Sequence, residues 1–178
     1  MERLERIGRE LKYKGAIIDL YQDTIREPDG RISYYDFIGH KGAAAVMPVK
    51  EDGKIVMVRQ YRNALDRFTL EIPAGGLAGP EEPTDVCAAR EMEEETGYQS
   101  DNLELLISVQ TTIAFCNEKI DIYVARDLKA TQQHLDEGEY VDVEEYTIDE
   151  LVEKVYSSEI KDAKTVAAIM AYKDKFCR

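Results

Sequence analysis

Between Gly76 and Tyr98 the chain reads GLAGPEEPTDVCAAREMEEETGY, with Glu91, Glu94 and Glu95 on little more than one helical turn. Like charges three and four residues apart on a helix repel one another. A fold does not gain stability from that arrangement, so a cation among the carboxylates is expected. The flanking residues fix the element that carries them. Pro83 suits a first helical turn, Thr84 or Asp85 gives a polar or acidic start, and Gly97 supplies the exit. Ala88, Ala89 and Met92 fall on one side of this helix, and the three glutamates largely on another. The plainer alternative is a solvated acidic face, which is what most glutamate runs are.

Hard oxygen donors that leave several waters in place suit Mg²⁺, with Mn²⁺ a common substitute. Two or more such ions neutralise a diphosphate, activate a water and stabilise a leaving oxygen. Arg90 stands four residues before Glu94 and is placed to orient that carboxylate. The formal net charge of −13 argues against partners that need basic patches, namely nucleic acid and anionic membranes. It also sets the protein against an anionic phosphate substrate, a conflict that divalent ions would resolve.

A chain of 178 residues with 44% hydrophobic content can bury a sizeable core as one domain with a small N-terminal extension. No apolar run is long enough for a transmembrane helix, and the charged start MERLER lacks the apolar centre of a signal peptide. Cys87, Cys116 and Cys177 show no CxxC spacing, so reduced thiols in a cytoplasmic protein are expected.

Antiparallel strands are expected early, at 16–21 and 32–38, around a turn at Pro28-Asp29-Gly30. A second hairpin is expected from 43–49 and 54–59, joined through Asp52-Gly53. A strand at 68–72 stops at Pro73, and others follow at 103–110, 119–125 and 140–146, with a polar loop over 129–140. Thr147-Ile-Asp-Glu150 has capping-box spacing for a helix to about Tyr156. Asp162 caps a last helix with Val166, Ile169 and Met170 facing inward.

The spacing Gly76-x5-Glu82-x7-Arg90-Glu91-Met92-x-Glu94-Glu95-x-Gly97-Tyr98 resembles the Nudix box of the Nudix hydrolases, with every fixed position filled. A chance match is on the order of one in a million or rarer. The resemblance implies an α+β fold: a Nudix-type α/β/α sandwich with a mixed sheet over 41–178, plus an N-terminal antiparallel extension over 1–40 that serves dimerisation. It implies divalent-cation-dependent cleavage of a nucleoside diphosphate linked to another moiety. Glu91, Glu94 and Glu95 match the family's metal-binding glutamates, and Glu82 the glutamate near the helix start.

Outside the box the chain is similar to the ADP-ribose pyrophosphatase branch. Glu71-Ile-Pro-Ala74-Gly75 resembles that branch's Glu-x-Pro-Ala-Gly, which implies an Ala74 carbonyl in the metal shell and Glu71 near the diphosphate. Arg59-Gln-Tyr-Arg62 resembles its Arg-Gln-Tyr/Phe-Arg strand, making Arg62 and Arg59 candidate phosphate contacts. The branch draws its catalytic base from a loop, here Glu139 or Glu137, with Glu139 preferred because it directly precedes Tyr140-Val141. Tyr35, with Tyr34 and Phe37 beside it, offers a surface for adenine.

The expected activity is hydrolysis of ADP-ribose or a related ADP-sugar to AMP and a sugar phosphate, by a homodimer. The alternatives are another nucleotide derivative (a GDP-sugar, a dinucleotide or a damaged nucleotide) and a non-catalytic ADP-ribose sensor. Where such relatives often carry a Ser-Pro-Gly-type segment, this chain has TTIAFCNEK at 111–119, which leaves the substrate open and makes Glu118 a further candidate.

Overall fold

The computed structural model describes residues 3–79 and 81–177, and they form two compact units. The first comprises the N-terminal 42 residues together with 110–119. Strands β1 (Glu5–Lys14), β2 (Asp19–Arg26) and β3 (Ile32–Gly39) make an antiparallel sheet in that order. Two features differ from the sequence expectation. The strand expected at 16–21 begins at Asp19, and β1 precedes it. Strand β1 is exposed along nearly its whole length, and Arg9 interrupts the face that carries its apolar Ile7, Leu11 and Tyr13. Its register rests instead on cross-strand ion pairs, Arg9 with Asp23 at 2.6 and 2.7 Å and Arg26 with Glu5 at 2.7 Å. Ile17 and Ile18, which read as strand, are exposed in the β1–β2 turn, where the Gly15 N–H donates to the Ile18 carbonyl.

The expected turn at 27–30 is present. The Gly30 N–H donates to Glu27 O at 2.9 Å, and Gly30 has φ +87°. Residues 110–119 join this unit through the Ile38 N–H, which donates to Phe115 O at 2.7 Å. Asn117 exchanges hydrogen bonds with the His40 backbone.

The second unit holds β4 (Ala43–Pro48), β5 (Ile55–Arg62), β6 (Arg67–Glu71), β7 (Ala74–Gly76) and helix α1 (Thr84–Thr96). It continues through β8 (Tyr98–Gln99), β9 (Asn102–Gln110), β10 (Lys119–Arg126), β11 (Lys129–Ala130) and β12 (Val141–Tyr146) to α2 (Ile148–Tyr156) and α3 (Ala163–Phe176). A mixed sheet has the order β7-β4-β10-β9, with β4 and β10 parallel and β7 antiparallel to β4. An antiparallel sheet has the order β12-β5-β6, and β11 pairs with β8.

The expected hairpin of 43–49 with 54–59 is corrected here. Its tight turn is real, with the Gly53 N–H on Lys50 O at 2.9 Å. The strands nevertheless part after a single bridge between Val49 and Ile55 and enter different sheets. Every residue of β4 is buried, so both its faces need cover, which α1 supplies on one side and β5, β6, α2 and α3 on the other.

Alternation along β4 and β10 divides the core in two. Ala45 and Met47 lie with Ile122 and Val124 among residues of β5, β6, α2 and α3, including Met57, Ile72, Leu151 and Ile169. Ala44 and Val46 lie with Tyr123 and Ala125 against Cys87, Ala88 and Met92 of α1. Helix α1 therefore covers one face of the sheet, and α2 and α3 close the other side of the core. The anticipated caps are in place. Thr147 and Glu150 form the full capping box, and Asp162 accepts the Thr165 N–H at 3.0 Å.

Candidate active site

Helix α1 is anchored by its apolar side and stopped by Gly97 in the left-handed region at φ +68°. Its other side presents Arg90, Glu91, Glu94 and Glu95. The cation among the glutamates is first of all Arg90. Its Nη1 donates to Glu91 at 2.7 Å and to Glu94 at 2.9 Å, Nε to Glu82 at 3.3 Å, and Nη2 to the Gly76 carbonyl at 3.3 Å. Arg90 thus fastens the acidic face to the approaching loop. Glu82 also accepts the Ala78 N–H at 2.6 Å, which holds its carboxyl below the usual range.

Glu95 points inward, 5% exposed, and accepts the Ala74 N–H at 3.0 Å. Burial, with the charges of Glu91 and Glu139 added, pushes its carboxyl up to about 8 despite that hydrogen bond. Glu91 is raised for the same kinds of reason: burial first, then Glu94 and Glu139, against the lowering effect of Arg90. The carboxylates meet β7 at close range. A Cβ built on Gly75 would overlap the Glu91 carboxyl group at well under 3.0 Å, so only glycine leaves that group its place.

Among the described residues, no three His, Cys, Asp or Glu side chains already form a finished metal cage. The donor set nevertheless fits a hard divalent cation. It consists of carboxylate oxygens that burial and mutual repulsion leave short of positive charge, beside a backbone cradle that a side chain would fill.

Residues 135–140 present the two base candidates. The Asp136 carbonyl accepts the Glu139 N–H at 3.0 Å across a turn containing Gly138 at φ +88°. The charge of Glu139 reaches both Glu91 and Glu95.

Glu71 ends β6 almost fully buried and is heavily bonded. Arg62 grips it through Nε at 2.8 Å and Nη2 at 2.7 Å, Thr69 donates at 2.7 Å, and Lys164 at 2.5 Å. Burial alone would raise its carboxyl, but the Arg62 hydrogen bonds and the Lys164 charge bring it from 4.5 to about 2. Arg62, Glu71 and Lys164 line a cavity of about 400 Å³ with Phe68 and Lys161. Arg59 is engaged elsewhere, in a two-point ion pair with Glu144 of β12 that Tyr146 joins. Tyr35 lies on β3 of the N-terminal unit, exposed, opposite Asp23. Glu118, in the same unit, accepts from Thr111 at 2.6 Å and faces His40 at 3.4 Å.

Sequence reading did not single out Lys164 or Thr69. A signal for Lys164 exists, since a cation in the first turn opposes the helix dipole and implies an anionic partner elsewhere.

The depressed Glu71 carboxyl carries a prediction. Its folded value lies below its unfolded one, so its contribution to stability is present above pH 4.5 and lost as pH falls toward 2. The shift corresponds to about 3 kcal/mol. Glu71→Gln is expected to lower stability by about that amount at pH 7, and the gap from the native chain should close between pH 4.5 and 2 in urea melts. A gap that stays constant with pH would contradict the assignment.

Residues 39–169 match the NUDIX domain, and the chain belongs to that family. It is 40% identical over 165 residues to the ADP-ribose pyrophosphatase of Bacillus subtilis (strain 168), covering 92% of this chain and 89% of the relative. It is 42% identical, with the same coverage, to the methanol dehydrogenase activator of Bacillus methanolicus. The ADP-ribose pyrophosphatase of Mycobacterium tuberculosis (strain ATCC 25618 / H37Rv) is 33% identical over 94% of this chain and 82% of its own length. A crystal structure of an ADP compounds hydrolase superimposes with a TM-score of 0.86 at 18% identity, covering 98% of this chain and 94% of that one, and shows the shared fold.

Proposed function

We propose that this Nudix hydrolase cleaves the pyrophosphate bond of ADP-ribose or a related ADP-sugar, giving AMP and a sugar phosphate. The observation that carries the reading is the meeting of Glu91 and Glu95 with the β7 backbone, under the charge of Glu139. The substrate class is supported by the names of the Bacillus subtilis and Mycobacterium tuberculosis relatives. A divalent ion, Mg²⁺ or Mn²⁺, held by Glu91, Glu94, Glu95 and the Ala74 carbonyl, would neutralise the diphosphate and acidify the attacking water.

The chain's own residues do the rest. Arg62 is oriented by two bonds to Glu71, and its remaining nitrogen, Nη1, is assigned to a phosphate oxygen. Glu139 takes a proton from the attacking water oxygen and, standing on a loop, can close over substrate to keep bulk water out. Glu139→Gln is expected to lower kcat by about 10²-fold or more. Glu137→Gln should stay within about twofold, because the proton-accepting role is assigned to Glu139. The reverse ranking in steady-state kinetics would transfer the role to Glu137.

We infer a homodimer joined through the extension at 1–40, where Leu11, Tyr13, Ile32 and Tyr34 expose apolar surface and Tyr35 is the candidate adenine-stacking ring. Products released from ADP-ribose, GDP-mannose, NADH and dNTPs, with and without Mg²⁺, test the substrate reading. AMP from ADP-ribose at the highest kcat/KM is expected. A preference for GDP-mannose would redirect the assignment, and tight ADP-ribose binding without AMP release would make the protein a sensor.

A further inference from the structure

Residues 71–75 have a hold at every position. Glu71 is bonded by Arg62, Thr69 and Lys164; the Ile72 N–H donates to Thr165 Oγ1 at 3.1 Å. The Pro73 carbonyl accepts the Val46 N–H at 2.9 Å, the Ala74 N–H donates to Glu95 at 3.0 Å, and Gly75 abuts the Glu91 carboxyl group. Two successive residues in the first turn of α3 therefore hold two successive residues at the end of β6, 93 positions away in sequence.

The first turn of α3 is built for that purpose rather than for the helix. It carries no acidic residue, yet it places Lys164 where the helix dipole disfavours a cation. Lys164 is also deeply covered, with its side chain 10% exposed, which costs solvation unless anions surround the ammonium. They do. Glu71 lies at 2.5 Å and Asp162 at 2.9 Å. Asp162 in turn receives both the N–H and the hydroxyl of Thr165, at 3.0 and 2.6 Å. Asp162, Lys164 and Thr165 thus form one unit whose side-chain hydrogen bonds reach Glu71 and Ile72.

We propose that Lys164, braced by Asp162 and acting with Thr165, is a positioning residue that fixes the 71–75 segment so that the Ala74 carbonyl and Gly75 stay in register with Glu91 and Glu95. Lys164 acts through Glu71, not on the substrate.

This inference rests on the proposed metal-dependent hydrolysis, and its test separates the two. Mn²⁺ binding is measured by electron paramagnetic resonance on the full chain without substrate, alongside kcat and KM for ADP-ribose. Removing a cation near the site would by Coulomb's law alone tighten Mn²⁺. Positioning predicts the opposite sign. Lys164→Met is expected to weaken Mn²⁺ about tenfold and lower kcat by a similar factor, with KM changed less than threefold. Lys164→Arg should restore both to within threefold of the native values.

Thr165→Val changes no charge, removes the hydroxyl that accepts the Ile72 N–H, and guards against a Lys164→Met chain that fails to fold. It should weaken Mn²⁺ by about threefold. Unchanged or tighter Mn²⁺ binding in either variant, or a Lys164→Arg chain as impaired as Lys164→Met, would overturn the proposal. A native chain that binds Mn²⁺ but releases no AMP from ADP-ribose would instead remove the hydrolase reading, leaving the Mn²⁺ comparison to stand.

Discussion

Glu95→Gln is expected to lower turnover of ADP-ribose by about 10³-fold at saturating Mg²⁺, while leaving the fold intact. The substitution keeps the shape of the side chain and an oxygen to accept the Ala74 N–H, and changes only the charge. That charge is the costly part of the native residue: it is 5% exposed and crowded by Glu91 and Glu139. Without metal, the Gln variant should therefore melt no lower than the native chain. The combination of lost turnover with undiminished stability is the signature of a residue kept for binding an ion. Full turnover in the variant would end the metal assignment for Glu95. A large drop in melting temperature would show that the carboxylate serves the fold.

Gly75→Ala should reproduce much of that loss from the opposite side of the site. The added methyl overlaps the Glu91 carboxyl group, the far end of a flexible side chain, so the overlap is relieved by swinging that group away. The cost in stability is expected to be about 1 kcal/mol or less, below the range for overpacking a rigid core. Activity should nevertheless fall about 10²-fold, because the displaced carboxylate is a proposed metal ligand. Gly75→Ala and Glu91→Gln should then be strongly non-additive when combined, since each removes the same group from the same place. Independent, multiplying losses in kcat would mean that Gly75 acts on something other than Glu91.

Glu95 was legible in the sequence for a local reason, whereas Gly75 was read only as part of a motif and its contact with Glu91 emerges from the fold. Glu91, Glu94, Glu95, Arg90 and Gly97 belong to one helix and its exit, where spacing alone dictates which groups meet. The caps at Thr147 and Asp162 were readable for the same reason. What sequence could not supply was pairing over distance. The 43–49 and 54–59 segments look like partners because Asp52-Gly53 turns the chain between them, yet burial on both faces sends them to separate sheets. Strand β1 has Arg9 breaking its apolar face of Ile7, Leu11 and Tyr13, and its register is marked by Asp23 and Arg26 on a neighbour. Lys164 meets Glu71 only after the core has closed. Glu137 and Glu139 stand two residues apart in one loop, where spacing alone does not separate their roles.

The charge balance of the molecule points the same way as the site. A chain with a formal net charge of −13 gathers Arg62, Lys161 and Lys164 around one cavity and buries two of its carboxyl groups above their ordinary range around α1. For the proposed anionic substrate, Arg62 and Lys161 together with a divalent ion would offset the repulsion of the acidic surface.

Release of AMP from ADP-ribose is to be followed in metal-free buffer with EDTA and then during Mg²⁺ addition. No turnover is expected with EDTA, and recovery should saturate as Mg²⁺ fills the proposed site at Glu91, Glu94 and Glu95. Turnover that EDTA leaves unchanged would contradict the metal-dependent reading.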